Sequence, residues 1–172
     1  MNMDLIKPFR IMIAILLITM NLTSCDWLNN SSSNEDSSLT LMPYDFSDYL
    51  EVSYWGQIPI RIDKSIALDI QNTSMECIVF PHDFGVHIYA NINGSWLEIP
   101  NSVQYPNQED IILDPKGSFF SDSGTVVHPI ISSINKNSNP IRIRVVIVGR
   151  LCKDGTPTEK QVGGYIDLDI FQ

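Results

Sequence analysis

Three histidines and three cysteines are the side chains of this 172-residue chain best suited to chemistry. A hydrolytic triad needs one of His82, His87 or His128 beside a nucleophile, and no Gly-x-Ser-x-Gly elbow exists to present one. Zinc needs three or four ligands at short, regular spacing. His82 and His87 are five apart with Gly85 between them, and no cysteine or third histidine completes a set. The acidic stretches Asn107-Gln108-Glu109-Asp110 and Ser121-Asp122-Ser123-Gly124 carry calcium-type oxygens but match no EF-hand pattern, so they read as solvated loops. Gly163-Gly164 is too short to cradle a phosphate and reads as a bend at a strand entry. The expectation is therefore no catalytic residue, no metal site and no cofactor.

Cys25 stands apart from the other two cysteines. It follows a weakly positive start (Lys7 and Arg10, against Asp4) and an unbroken ten-residue apolar run, Ile11 to Met20. Such a run suits the apolar region of a signal peptide, while a bilayer takes about 20 residues to cross. Leu22-Thr23-Ser24-Cys25 then resembles a lipobox, with an aliphatic residue three before the cysteine and small residues between. By that resemblance to bacterial lipoproteins, a diacylglycerol is attached to Cys25, cleavage follows Ser24, and the mature chain is exported and held at the cell envelope by its acyl chains. Each buried methylene contributes about 0.8 kcal/mol, so one chain anchors marginally and two or three anchor stably. Asp26 resembles the inner-membrane retention signal of enteric bacteria, while Glu35-Asp36 fits a surface-export signal. Both destinations stay open.

Residues 26–39 are serine, asparagine and acids for the most part, a composition that cannot bury a core. They read as a disordered tether with a reach of about 20 Å. Removing residues 1–24 takes away two bases and one acid, which moves the net charge from −9 to −10. A surface so acidic, with no basic stripe, repels phosphate backbones and excludes nucleic acid as a partner.

Residues 40–172 are long enough for one well-buried core. Helical periodicity is absent, and β-branched runs alternate with Gly, Pro, Asn and Asp punctuation. Strands are expected at 50–54, 57–62, 65–71, 76–80, 86–92, 95–99, 110–113, 125–129, 141–149 and 164–171. Many short strands with turns between them predict an all-β fold, an antiparallel β-sandwich of immunoglobulin-like type, with a β-barrel as the alternative. Asp45 to Val52 with Gly56 resembles the opening strand of immunoglobulin-like modules in some bacterial lipoproteins. Ile66, Leu68 and Ile70, then Ile141, Ile143, Val145 and Ile147, then Ile166, Leu168 and Ile170 are the expected core. Arg142 and Arg144 occupy the opposite face of their strand, as Asp167 and Asp169 do of the next. Antiparallel pairing would set cations against carboxylates, in the role of register pins on a wet outer face.

Asn93-Gly94 is the strongest hairpin signal. A two-residue or a four-residue loop puts Asn91 opposite Trp96, Tyr89 opposite Glu98 and Ile88 opposite Ile99. Val86, Ile88, Ala90, Leu97 and Ile99 then face the core. His87, Tyr89, Asn91, Trp96 and Glu98 face outward, and His87, Tyr89, Trp96 and Glu98 form a candidate binding face. The competing reading folds the aromatic segment Tyr44, Phe46, Tyr49, Tyr54 and Trp55 over that face and makes Trp96 core. Cys77 and Cys152 are candidates for a disulfide in an exported domain, worth on the order of 2–4 kcal/mol. Alternatively Cys77 is a buried apolar residue beside Ile78.

The function this predicts is a membrane-anchored binding or accessory module for a protein or glycan partner. One alternative is an envelope protease inhibitor or chaperone that uses the proline-flanked loop Leu151 to Gln161. The other is an enzyme, which His87 or His128 in a deep pocket with a carboxylate would favour.

Overall fold

The long β-branched run from Ile141 becomes the centre of the molecule. The computed structural model describes residue 46 and residues 48–119, 121–131 and 139–172. The leader 1–24, Cys25, the stretch 26–39 and Tyr44 lie outside the described residues. Ten strands are formed: β1 (Leu50–Tyr54), β2 (Ile60–Arg61), β3 (Ile66–Asn72), β4 (Cys77–Phe80), β5 (His87–Ile92), β6 (Ser95–Ile99), β7 (Ile111–Leu113), β8 (Asp122–Val127), β9 (Ile141–Lys153) and β10 (Thr156–Phe171). Among the described residues there is no helix, and the fold is all-β.

A three-stranded sheet has the order β1-β3-β8, antiparallel throughout. The larger sheet runs β2-β10-β9-β4-β7, with the β5–β6 hairpin also paired to β9. One edge of β9 carries β10 along nearly its whole length. Its other edge is shared, with β5 against residues 143–146 and β4 against residues 150–152. Eight steps of chain from Val79 to His87 thus lie against four steps from Arg150 to Val146. The surplus bulges out as the turn Pro81–Gly85, where Phe84 and Gly85 both have positive φ. A β-carbon on Gly85 would run into the Val148 carbonyl, so no larger residue lets this turn close against β9.

The inner faces of both sheets meet in one core of Ile66, Leu68 and Ile70 from β3, Ile141, Ile143, Val145 and Ile147 from β9, and Ile78, Phe80, Ile88 and Ile170 from their neighbours. Each such side chain contributes roughly 1.5–3 kcal/mol when fully buried. Asn72, fully buried at the end of β3, is satisfied by its surroundings. Its amide donates to the carbonyls of Glu76 (2.7 Å) and Asp114 (2.9 Å), and its Oδ1 accepts from Ser74 N (2.9 Å). That satisfies a polar side chain which would otherwise weaken the core.

Several expectations are corrected. Ile166 and Leu168 are only half-buried, because β10 is flanked on its far side by β2 at Ile170–Phe171 alone. That pairing is parallel, so the larger sheet is mixed. Strand β2 holds two residues of the six expected, and Ser121–Gly124 is largely the start of β8, not a loop. The stretch Leu151 to Gln161 is no long loop. Strands β9 and β10 continue into it and join at the tight turn Asp154-Gly155, both with positive φ, with a register shift between Pro157 and Gln161. Gly163-Gly164 lies mid-strand, not at a strand entry. A β-carbon on Gly164 would stand 2.9 Å from Leu50, so something would have to shift, and one on Gly163 would crowd the Phe46 ring at 3.0 Å.

Candidate binding face of the larger sheet

On β9 the residues between the core positions, Arg142, Arg144, Val146, Val148 and Arg150, share the outer side of the sheet. The hairpin register is the predicted one: Asn91 opposite Trp96, Tyr89 opposite Glu98, Ile88 opposite Ile99. The pairing of this hairpin with β9 puts Tyr89 opposite Arg144, and β10 puts Asp167 opposite Arg144 on the other side. Glu98, Tyr89, Arg144 and Asp167 therefore form one row across four strands.

Arg142 is exposed as expected, but this outer face is not wet around Arg144, which corrects the expectation for that arginine. Arg144 is only 5% exposed, and Val79, Val146 and Val148 are buried although they stand outside the main core. The Arg144 guanidinium lies between two rings, 4.6 Å from the centroid of Trp96 and 4.4 Å from that of Tyr165. Its Nε and Nη2 donate to the two carboxylate oxygens of Asp167 at 2.7 and 2.9 Å. A planar guanidinium can stack on both faces while its edge makes a bidentate pair, which an ammonium cannot do. Cation–π contacts of this kind contribute about 0.5–2 kcal/mol, more where water is excluded. Arg142 adds a longer bond to Asp167 Oδ2 at 3.2 Å. Phe46 packs edge-on against Tyr165 with centroids 5.7 Å apart.

Neither reading of Trp96 holds in full. It is half-buried on the outer face, not core, and what covers one side of it is Arg144. The aromatic segment before β1 does reach this face, through Phe46. Tyr89, Asn91 and His87 are half-buried, Glu98 is exposed, and His87 Nδ1 lies 2.9 Å from Glu98 Oε1. Leu97 stands on the inner face opposite Ala90 yet is 52% exposed, and Val86 is half-buried and packed against the core. The inner face of the hairpin is therefore the expected one, and only the burial of Leu97 is corrected.

Beside the stack, where the Pro81–Gly85 turn leaves β9, lies a pocket of about 380 Å³, within the size range of small-ligand clefts. Val79, Val148 and Gly149 are in its wall, and Arg150, Asp110 and Gln161 supply polar groups. His87 borders it and also a second hollow on the Glu98 side.

The chemistry sought in the sequence is placed as follows. His82 is exposed. His128 Nδ1 is 3.3 Å from Ser65 Oγ, and among the described residues no carboxylate is hydrogen-bonded to that ring. His87 and Glu98 are paired at an exposed rim, 37% and 59% exposed, where solvent screens them. Among the described residues no group of three or more His, Cys, Asp or Glu side chains is arranged to hold a metal ion. Cys77 lies directly opposite Cys152 on β4 and β9, with Cα atoms 5.1 Å apart, and the two are joined as a disulfide.

Sequence reading named the hairpin half of this face and missed the other half. Tyr165 and Asp167 share the parity of Arg142 and Arg144 in consecutive strands, so the outer side of β9–β10 was readable. The join was not, because β5 pairs with β9 across more than fifty residues of sequence. No protein-family model matches this chain, and no curated protein matches it in sequence.

Proposed function

We propose that this chain is a lipid-anchored module of the bacterial cell envelope that binds a protein or glycan partner through the outer face of its larger sheet. In this reading Cys25 carries the anchor, residues 26–39 form the leash, and the two sheets make an immunoglobulin-like β-sandwich. Two sheets with a shared core and short tight turns are in keeping with that architecture.

The observation that carries the binding function is the Trp96–Arg144–Tyr165 stack. Trp, Tyr and Arg are the residues in which binding energy concentrates at interfaces. Here the arginine is already fixed by Asp167, so a partner meets ordered side chains and little further rotamer entropy is lost. Tyr165 is 41% exposed, which leaves an aromatic ring at the stack open for contact.

In-cell crosslinking and capture with the full lipoprotein tests this. Wild type is compared with a Tyr89→Ala/Trp96→Ala double variant and with Glu98→Lys, each checked for folding by circular dichroism. The expected result is a partner captured by wild type and lost by both folded variants. Equal capture by all three removes this face from the function. Metabolic labelling with an alkynyl fatty acid tests the anchor, with label expected on wild type and absent from Cys25→Ser.

A further inference from the structure

The outer side of β9 carries three arginines, and the fold treats one of them differently. Arg142 and Arg144 face Asp169 and Asp167 across the ladder with β10. Arg150 faces Gln161 on one side and Val79 on the other, both uncharged. Among the described residues Arg150 makes no ion pair, although the chain carries almost twice as many acids as bases. It lines the pocket beside the Pro81–Gly85 turn, and Asp110 lines the same pocket without pairing with it. Val79, Val148, Pro81 and Pro157 give the same pocket an apolar part to its lining.

A cation and an anion that line one pocket without pairing, with apolar side chains beside them, are the complement of a ligand that carries both charges. We propose that this pocket binds a short peptide by its two free termini, with the carboxylate on the Arg150 guanidinium, the ammonium on the Asp110 carboxylate, and the intervening side chains on Val79 and Val148. A guanidinium takes a carboxylate through two parallel hydrogen bonds, which fixes the orientation of the peptide as well as its charge. Gln161 lines the same pocket, and its amide is the group to hydrogen-bond the peptide backbone. The two prolines add no backbone N–H donors to the rim. This inference rests on the reading of the outer face of the larger sheet as the binding face, and it names the ligand class for one end of that face.

The test is a titration of the full ¹⁵N-labelled chain in detergent micelles with the dipeptide alanyl-leucine, its C-terminal amide and its N-acetyl form. The signals to follow are the backbone amides of Gly85, Gly149 and Gln161, with Leu68 in the core as the fold control. The dipeptide is expected to shift those three signals and leave Leu68 unmoved. Loss of one charge-assisted contact weakens binding about tenfold, so each blocked form is expected to bind about tenfold more weakly than the dipeptide. Arg150→Gln is expected to lower dipeptide affinity to that of the amide and to cost the amide nothing further. Asp110→Asn is expected to do the same with respect to the N-acetyl form.

Three results would overturn the proposal: no shift at the pocket amides up to the solubility limit, equal affinity for all three peptides, or a blocked-to-free ratio unchanged by the variants. The wider reading fails separately, because partner capture is read through Trp96 and Glu98 while the titration is read through Arg150 and Asp110.

Discussion

The two sheets share one core yet turn unlike faces outward. Across the smaller sheet two outward rows are Ser53, Asp69 and Gly124, then Glu51, Gln71 and Asp122, all polar or acidic except the glycine, and a third sets Ala67 opposite the exposed Val126. These two rows carry carboxylates and no base, so no ion pair can form within them, and the neutral Gln71 separates Glu51 from Asp122. Across the larger sheet the corresponding row runs Glu98, Tyr89, Arg144 and Asp167, and its arginine is buried, stacked and doubly bonded. The first face keeps its charges in water. The second has been desolvated and ordered around Arg144 by the chain itself, which is costly unless the buried charge is paired. A face built that way keeps one geometry, and one geometry is what recognition requires.

That contrast is broken most severely at Arg144. Arg144→Ala removes a cation from between two rings and leaves Asp167, only 21% exposed on its side chain, without its bidentate partner. A loss of about 3 kcal/mol in urea unfolding is expected, the lower end of the range for breaking a buried pair, because Arg142 still reaches the carboxylate. The double variant Arg144→Met/Asp167→Leu is expected to recover most of that loss, since no buried charge is then left alone. If Arg144→Ala unfolds at the wild-type midpoint, the outer face is as loosely held as the smaller sheet's and the comparison collapses.

The disulfide comes next. Cys77 and Cys152 are 75 residues apart in sequence, so bridging them removes much freedom from the unfolded chain. Reduction, or Cys77→Ala/Cys152→Ala, is expected to cost about 2–4 kcal/mol. The bridge ties β4 to β9 at the pocket end of the sheet. Tryptophan fluorescence of Trp96 should therefore change less on reduction than the amide signals of Gly149 and Leu151. At the opposite extreme, Asp69→Ala on the smaller sheet is expected to shift stability by no more than about 0.5 kcal/mol.

How much of this was legible in the sequence follows from how far each contact reaches along the chain. The Asn93-Gly94 turn, the period-two alternation of β3 and β9, and the facing of Arg142 and Arg144 toward Asp169 and Asp167 are all short-range, and parity alone predicts them. The burial of Arg144 was not legible, because Trp96 reaches it from β6, two strands away in the sheet and nearly fifty residues away in sequence. Parity also misjudged Leu97. It shares a face with Ile99 in the pattern, but β6 is the outer strand of its hairpin, paired to β5 alone, and its inner side has little above it. The extension of β9 and β10 through Cys152 and Pro157 was hidden by the proline, which reads as a strand breaker. Its position next to a register shift is where a sheet tolerates it.

The smallest effect expected is also the sharpest control. Asp63 and Lys64 form an ion pair at 3.2 Å in the turn between β2 and β3, each side chain two-thirds exposed. The bond from Lys64, and after it a backbone hydrogen bond, holds the Asp63 carboxyl below its ordinary value of 3.8. A carboxyl so depressed adds stability that is present above the unfolded value and is lost as pH falls through the lower folded value. Asp63→Asn should therefore leave the urea midpoint at pH 7 almost unmoved, because water and salt screen an exposed pair. It should narrow the gap to wild type further as the pH is taken below 3.8. Raising the ionic strength should erase whatever difference remains at pH 7, yet leave the cost of Arg144→Ala nearly intact. The same pair of charges, Arg or Lys with Asp, would then be shown to matter only where the fold has taken it out of water. An Asp63→Asn loss as large as that of Arg144→Ala would mean that burial is not what separates the two faces.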